Sequence, residues 1–239
     1  MDPGYTSCNE DSQRFNDPTL YRSLVGALLY LAVNARPNLS LSVGMLWRKV
    51  SEPNHMDWGA AKRVLQYLSV TKDWRLKFGP DEGWCLRCFS DSDWAGERRT
   101  RRSTTGFIFF YGSGPISRIS KGQSSVALSS LEAEYNALSL ACQETVWLRR
   151  LLTELGEPEE KATIIYEDNQ GCLSFATSER TSGRVKHIDT KRHYVRELVE
   201  QKVIKLVYRP TNEMVADALT KPLGPTEVQK FVNQVGLKL

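Results

Sequence analysis

Phe89-Ser-Asp-Ser-Asp-Trp94 closes an apolar-rich stretch, Trp84 to Phe89, that reads as a β-strand ending on aspartates. Ligands of open α/β sheets sit beyond strand carboxyl ends, so this string sets the question for the rest of the chain. Downstream, Gly106–Tyr111 reads as a second strand. Ile116–Ile119 and Ser125–Leu128 offer one more strand or a paired edge, set off by the turn Gly112-Ser-Gly-Pro115. A long helix then spans Ser130–Leu155, stopped by Gly156 and Pro158. The pattern continues with a strand at Thr163–Tyr166, helices at Gln170–Ala176 and His187–Gln201, a strand at Val203–Tyr208 and a final helix at Asn212–Thr220. Strands in a meander followed by helix–strand alternation describe an α/β sheet with mixed strand directions.

Upstream the rhythm is helical. Pro18 suits a first helical position, and Leu20, Leu24, Leu28 and Leu31 recur at fours and threes up to Arg36-Pro37. A second helix is expected from Pro37 through Val50, and a third over Trp58–Leu68 with Val64, Leu65 and Leu68 inward. This block carries no cluster of acids, His or Cys. The chain therefore divides into a helical block, residues 1–79, and an α/β domain, residues 80–239.

The 239 residues are 41% apolar and 25% charged, as in ordinary folded proteins, and 32 basic residues against 28 acidic ones permit a nucleic-acid partner without requiring one. The longest apolar run, Leu24–Val33, is far short of the roughly 20 residues that span a bilayer, so no membrane association is expected. With no secretory leader pattern in Met1–Asp17, the expected location is intracellular: cytoplasm, nucleus or a virus-like particle. The five cysteines are scattered. Cys85 and Cys88 lie three apart on a strand, on opposite faces, with no second pair to complete a zinc site.

Four carboxylates stand out. Asp91 ends the first strand and Asp168 ends the fourth, in Ile164-Ile-Tyr-Glu-Asp-Asn169; each alone reads first as a turn or cap residue, and their coincidence favours function. On the long helix the apolar stripe runs Leu131, Leu138, Ala141, Leu148, Leu152 and Leu155. Glu134 falls on it, whereas Glu132 belongs with Asn136, Ser139, Gln143 and Arg150 on a polar face. Asp217 lies in Met214-Val-Ala-Asp-Ala-Leu219, near the start of the last helix. Four acids brought together do not all stay ionised without cations. Two divalent metals about 4 Å apart meet that requirement; Mg²⁺ suits all-oxygen ligands, with Mn²⁺ as the alternative.

The order Asp, Glu, Asp, Asp on these elements resembles the ribonuclease H fold. Ser90-Asp-Ser-Asp-Trp-Ala-Gly96, Ser129-Ser-Leu-Glu-Ala-Glu-Tyr135, Tyr166-Glu-Asp-Asn-Gln170, Lys186-His-Ile-Asp189 and Ala216-Asp-Ala-Leu-Thr-Lys-Pro-Leu223 are similar to the ribonuclease H of copia-type retrotransposon Pol polyproteins. Tyr21-Arg-Ser-Leu-Val-Gly-Ala-Leu-Leu-Tyr-Leu31 and Ala60-Ala-Lys-Arg-Val-Leu65 resemble the thumb and connection end of the reverse transcriptase preceding it. The resemblance implies a mixed five-stranded sheet with flanking helices after a small helical block. It also implies hydrolysis of the RNA strand of RNA/DNA hybrids, with Asp91, Glu134, Asp168 and Asp217 as catalytic metal ligands. Asp91 rather than Asp93 takes the first position. Cellular members carry a His before the last helix; Val207-Tyr-Arg-Pro-Thr-Asn-Glu213 has none. The polymerase motif Tyr-x-Asp-Asp is absent, so the implied partners are a hybrid and the upstream fingers and palm of the same polyprotein.

Arg98, Arg99, Arg101 and Arg102 follow the first acid closely, and Arg180, Arg184, Lys186, Lys191, Arg192 and Arg196 form a second basic run. Both read as phosphate contacts or as solvated loops. Ser92, Ser130 and Asn169 are candidate donors to RNA 2′-hydroxyls. Two other readings stay open: a catalytically silent hybrid- or RNA-binding remnant, and an integrase- or transposase-like nuclease acting on DNA.

Overall fold

The computed structural model describes Tyr5 and residues 12–79, 83–178 and 186–239, with residues 186–188 as backbone only. The chain opens with helices α1 (Pro18–Asn34), α2 (Ser40–Trp47) and α3 (His55–Val70). Local chemistry starts two of them. Asp17 accepts from the Leu20 amide ahead of Pro18, and Asn54 with Asp57 forms a capping box on α3. A 3₁₀ turn at Pro37–Leu39 takes the first part of the expected second helix.

On α1 the buried row is Tyr21, Val25, Leu28 and Ala32; Leu28 belongs to the leucine row expected, but Tyr21, Val25 and Ala32 replace Leu20, Leu24 and Leu31 from one position on, and Leu20 is 48% exposed. One residue is about 100° of helix. Tyr21 wins the core because it is bulky and its hydroxyl finds the Leu46 carbonyl of α2 at 2.9 Å. On α3, Val64 is buried but Leu65 faces solvent, contrary to expectation.

A short pair, β1 (Arg75–Leu76) with β7 (Leu237–Lys238), ties the segment after α3 to the chain's last residues. The main sheet contains β2 (Leu86–Asp93), β3 (Thr104–Tyr111), β4 (Gly114–Gly122), β5 (Thr163–Glu167) and β6 (Ile204–Tyr208), in the order β4-β3-β2-β5-β6. β2, β3 and β4 form an antiparallel meander, and β5 and β6 join β2 in parallel. This is the mixed α/β sheet expected. Residues 125–128 do not form the further strand considered for them; β4 alone makes that edge.

β2 continues past the residue expected to end it. Asp91 pairs with Gly106 and the ladder runs on through Asp93 opposite Thr104, because backbone pairing does not depend on apolar side chains. β3 is nearly all buried because both faces of the sheet are covered. Phe107 and Phe109 pack with α4 (Ser130–Glu154), α5 (Gln170–Thr177) and α6 (Lys186–Glu200). Ile108 and Phe110 pack with α7 (Asp217–Thr220) and α8 (Pro225–Gln234). The expected final helix resolves into a 3₁₀ turn, Thr211–Glu213, and the four-residue α7. α8 is an addition, although Pro225 at its start and Val228, Phe231, Val232 and Val235 carry a helical rhythm.

The helical block lies against the edge strand. Arg118 of β4 donates to the Ala32 and Val33 carbonyls at the end of α1, and α2 packs over β4. Among the described residues, no helix is long and apolar enough to cross a membrane.

Candidate functional site

The acids converge where β2 and β5 lie side by side in the sheet. Asp91 comes from within β2, Asp168 from the residue after β5, and Glu134 from the second turn of α4. One carboxylate oxygen from each lies within 4.8 Å of the other two; among the described residues this is the one group with metal-site geometry. Helical phase aims Glu134 inward, at 7% exposure. Its neighbour Glu132, read as polar-face, is buried too: its carboxylate turns back to accept the Leu128 amide at 2.8 Å at the helix start. Asn136 and Ser139 of that expected polar face are likewise buried.

Asp217 stands at the margin of this trio. It opens α7, a helix docked tightly on β3 through Gly106, where a Cβ would come 2.5 Å from Thr220 Cγ2 and 2.9 Å from Leu219 Cβ. The bare glycine beside Asp91 thus lets α7 reach the cluster. The Thr220 hydroxyl donates to Asp91, and Lys221 Nζ lies 3.0 Å from Asp217 Oδ1. On the other flank the Thr211 hydroxyl donates to Asp168 Oδ2 at 2.6 Å.

Crowded, half-dry carboxylates hold protons. Burial, reinforced by Asp91 and Asp168, raises the Glu134 carboxyl to about 9. Burial and then Asp91 raise Asp217 to about 7, against the pull of Lys221. Asp91 is raised by burial and by Asp168, with Lys221 and Thr220 opposing. Beneath them is a fifth acid that the sequence reading passed over. Glu167 is fully buried, and burial followed by Glu134 holds it well above the carboxylate range; its Oε1 accepts the Asn169 amide at 3.2 Å. Strand alternation carries the signal for it, since Thr163, Ile165 and Glu167 share the inward face of β5.

The donor set is carboxylate oxygen throughout. Glu134 Oε2 is buried with no hydrogen-bond partner among the described residues. Such an oxygen is costly unless a proton or a cation serves it, and a hard divalent cation fits these ligands.

The expected substrate contacts are dispersed. Arg98, Arg99, Arg101 and Arg102 are exposed on the loop joining β2 to β3. Ser130 is exposed in the first turn of α4, and Asn169 caps α5 by accepting the Cys172 amide at 2.9 Å. Ser92 is buried beside Glu134. Arg180 and Arg184 lie outside the described residues, and Lys186 is described as helical backbone only.

The sheet order, the helices on both faces and the acids at adjoining strands are those of a ribonuclease H-like fold. No protein-family model matches the chain. A Pol polyprotein from transposon RE2 of Arabidopsis thaliana is 38% identical over 221 residues, 92% of this chain and 15% of that protein. Over most of its length the chain resembles a stretch of copia-type retrotransposon Pol polyproteins, and it spans about a seventh of the length of those it matches. Among solved structures, a foamy viral protease-reverse transcriptase in complex with double-stranded DNA aligns over 87% of this chain and 34% of that one, at 10% identity and a TM-score of 0.50. A ribonuclease H1 isolated from compost covers 57% of this chain and 92% of its own, at 14% identity and a TM-score of 0.44.

Proposed function

We propose that this chain hydrolyses the RNA strand of RNA/DNA hybrids during retrotransposon reverse transcription, with Asp91, Glu134, Asp168 and Asp217 holding two Mg²⁺ ions. The observation that carries the reading is the meeting of Asp91, Glu134 and Asp168 oxygens within 4.8 Å. Held by these carboxylates, divalent ions would supply an activated water and positive charge for the leaving oxygen of the phosphodiester. The chain's own groups prepare the site. Thr220 and Thr211 fix the Asp91 and Asp168 carboxylates, and Lys221 orients Asp217. Exposed Arg98, Arg99, Arg101 and Arg102, with Arg184 and Lys186, hold phosphates, and Ser130 and Asn169 contact 2′-hydroxyls. The chain carries no Tyr-x-Asp-Asp motif, so polymerisation falls to upstream fingers and palm of the polyprotein. Residues 1–79 act as its thumb and connection end and residues 80–239 as the nuclease, working inside the cell or a virus-like particle.

Cleavage of a labelled hybrid in Mg²⁺ tests this. The chain is expected to cut the RNA strand, to stop in EDTA and to leave duplex DNA intact, while an Asp91→Asn, Asp168→Asn double variant is inert. If the unaltered chain cuts no better than the double variant, the reading fails; binding without cutting then identifies a silent remnant.

A further inference from the structure

Where α2 meets the β2–β3 loop, a notch of about 300 Å³ is lined by Arg48, Lys49, Arg99 and Arg102, with Glu97 as its acid and Thr100 and Ser103 beside them. We propose that this notch is a phosphodiester subsite for the hybrid, built jointly by the helical block and the nuclease. The inference rests on the ribonuclease reading and adds to it that Arg48 and Lys49, residues of the helical block, hold substrate.

Three features carry it. The first is charge: four cations from two parts of the chain face one carboxylate, an excess that an anion relieves. The second is preorganisation. The Arg48 guanidinium lies across Gly122, in van der Waals reach of where a Cβ would stand, at 3.7 Å. Its Nη1 sits 3.5 Å from Glu97 and its Nη2 donates to Thr104 Oγ1 at 3.4 Å, leaving further N–H groups of its fork to serve a phosphate. The floor is fixed as well: the Gln123 amide donates to the Ser103 carbonyl at 2.8 Å, and the Gln123 side chain bridges Thr105 and the Ala133 carbonyl.

The third feature is position. Asp91 registers with Gly106 and Ser120 across the sheet, and Asp93 with Thr104 and Gly122. The notch, at Gly122, therefore lies two residues along and two strands across from the metal-ligand candidate, roughly 12 Å away at about 3.4 Å per residue and about 4.8 Å per strand. Duplex nucleic acid rises about 3.4 Å per nucleotide on each strand. A phosphate about three to four nucleotides from the scissile one thus falls at the notch while the scissile one sits among the acids.

Hybrid binding by the full chain in EDTA, where no cleavage occurs, measures this against salt concentration. Arg48→Ala and Lys49→Ala are each expected to weaken binding several-fold and to lower the log–log salt slope by about 1, as for a lost phosphate contact. Lys205→Ala removes the same charge from β6, at the far edge of the sheet, and is expected to leave the slope within about 0.3 of the unaltered chain. Glu97→Gln removes the competing acid and should tighten binding, a gain that misfolding does not imitate. Equal slopes for Arg48→Ala and Lys205→Ala, or no tightening in Glu97→Gln, overturn the subsite. A chain that cuts no hybrid but shows this pattern removes the ribonuclease reading and keeps the notch.

Discussion

Five carboxyls in and around the cluster, Asp91, Asp93, Glu134, Glu167 and Asp217, sit above their ordinary range, burial being the first cause for each. The folded chain without metal therefore binds more protons than the unfolded chain, and its stability falls as pH rises. For Glu134 the window runs from 4.5 to about 9, and for Asp217 from 3.8 to about 7. In EDTA the melting temperature is expected to decline steadily from pH 5 to pH 9. Mg²⁺ should restore most at the alkaline end, where it takes the place of protons already lost, so its apparent affinity climbs with pH. Melts at pH 5, 7 and 9, with and without Mg²⁺, check this. A flat profile in EDTA would mean that the acids are ionised in the unloaded fold.

At the scale of elements, the site depends on how closely α7 approaches β3. Gly106→Ala places a methyl group 2.5 Å from Thr220 Cγ2 and 3.3 Å from the Ala216 carbonyl, so the helix must shift. Overpacking of this kind costs roughly 1–3 kcal/mol. The larger effect is on geometry: Thr220 loses Asp91, Asp217 recedes, and a displacement near 1 Å can cost about a hundredfold in rate. Hybrid cleavage should fall about that much while the chain stays folded by circular dichroism; near-normal turnover would show that α7 has slack. The helical stripe of α4 made Glu134 readable from sequence, because one long element repeats its phase seven times over. Short elements do not. α7 is four residues long, Asp91 sits inside a strand whose polar end looks like a loop, and Glu167 is hidden by its neighbour Asp168, the more conspicuous acid. On α1, leucine spacing alone could not tell which of two adjacent rows faced the core, since the choice depended on Tyr21 meeting the Leu46 carbonyl of another helix.

At the scale of the whole molecule, the edge strand β4 links the helical block to the end of the sheet that carries the acids. Two residues apart on it, Arg118 donates to the last-turn carbonyls of α1 and Ser120 donates to the Leu219 carbonyl of α7 at 2.6 Å. Helix ends leave carbonyls unpaired and carry negative partial charge, so a guanidinium seated there is doubly favourable. Arg118 is itself largely desolvated, which holds its pKa below the usual arginine value. Arg118→Ala removes two charge-assisted bonds, a part-buried one to the Ala32 carbonyl and an exposed one to the Val33 carbonyl, and leaves the Ala32 carbonyl without its donor. Global stability is expected to drop by roughly 1–3 kcal/mol on that basis, read from the urea midpoint at constant m-value. Hydrogen exchange locates the effect. Amides of α1 and α2 should exchange faster while those of β2 and β5, in the middle of the sheet, keep their protection relative to the new global limit. If the helical block and the sheet instead lose protection to the same degree, the two unfold as one unit and Arg118 is one contact among many. Selective loosening of α1 and α2 would also move Arg48 and Lys49, so the same variant should weaken hybrid binding although it touches neither the acids nor the notch.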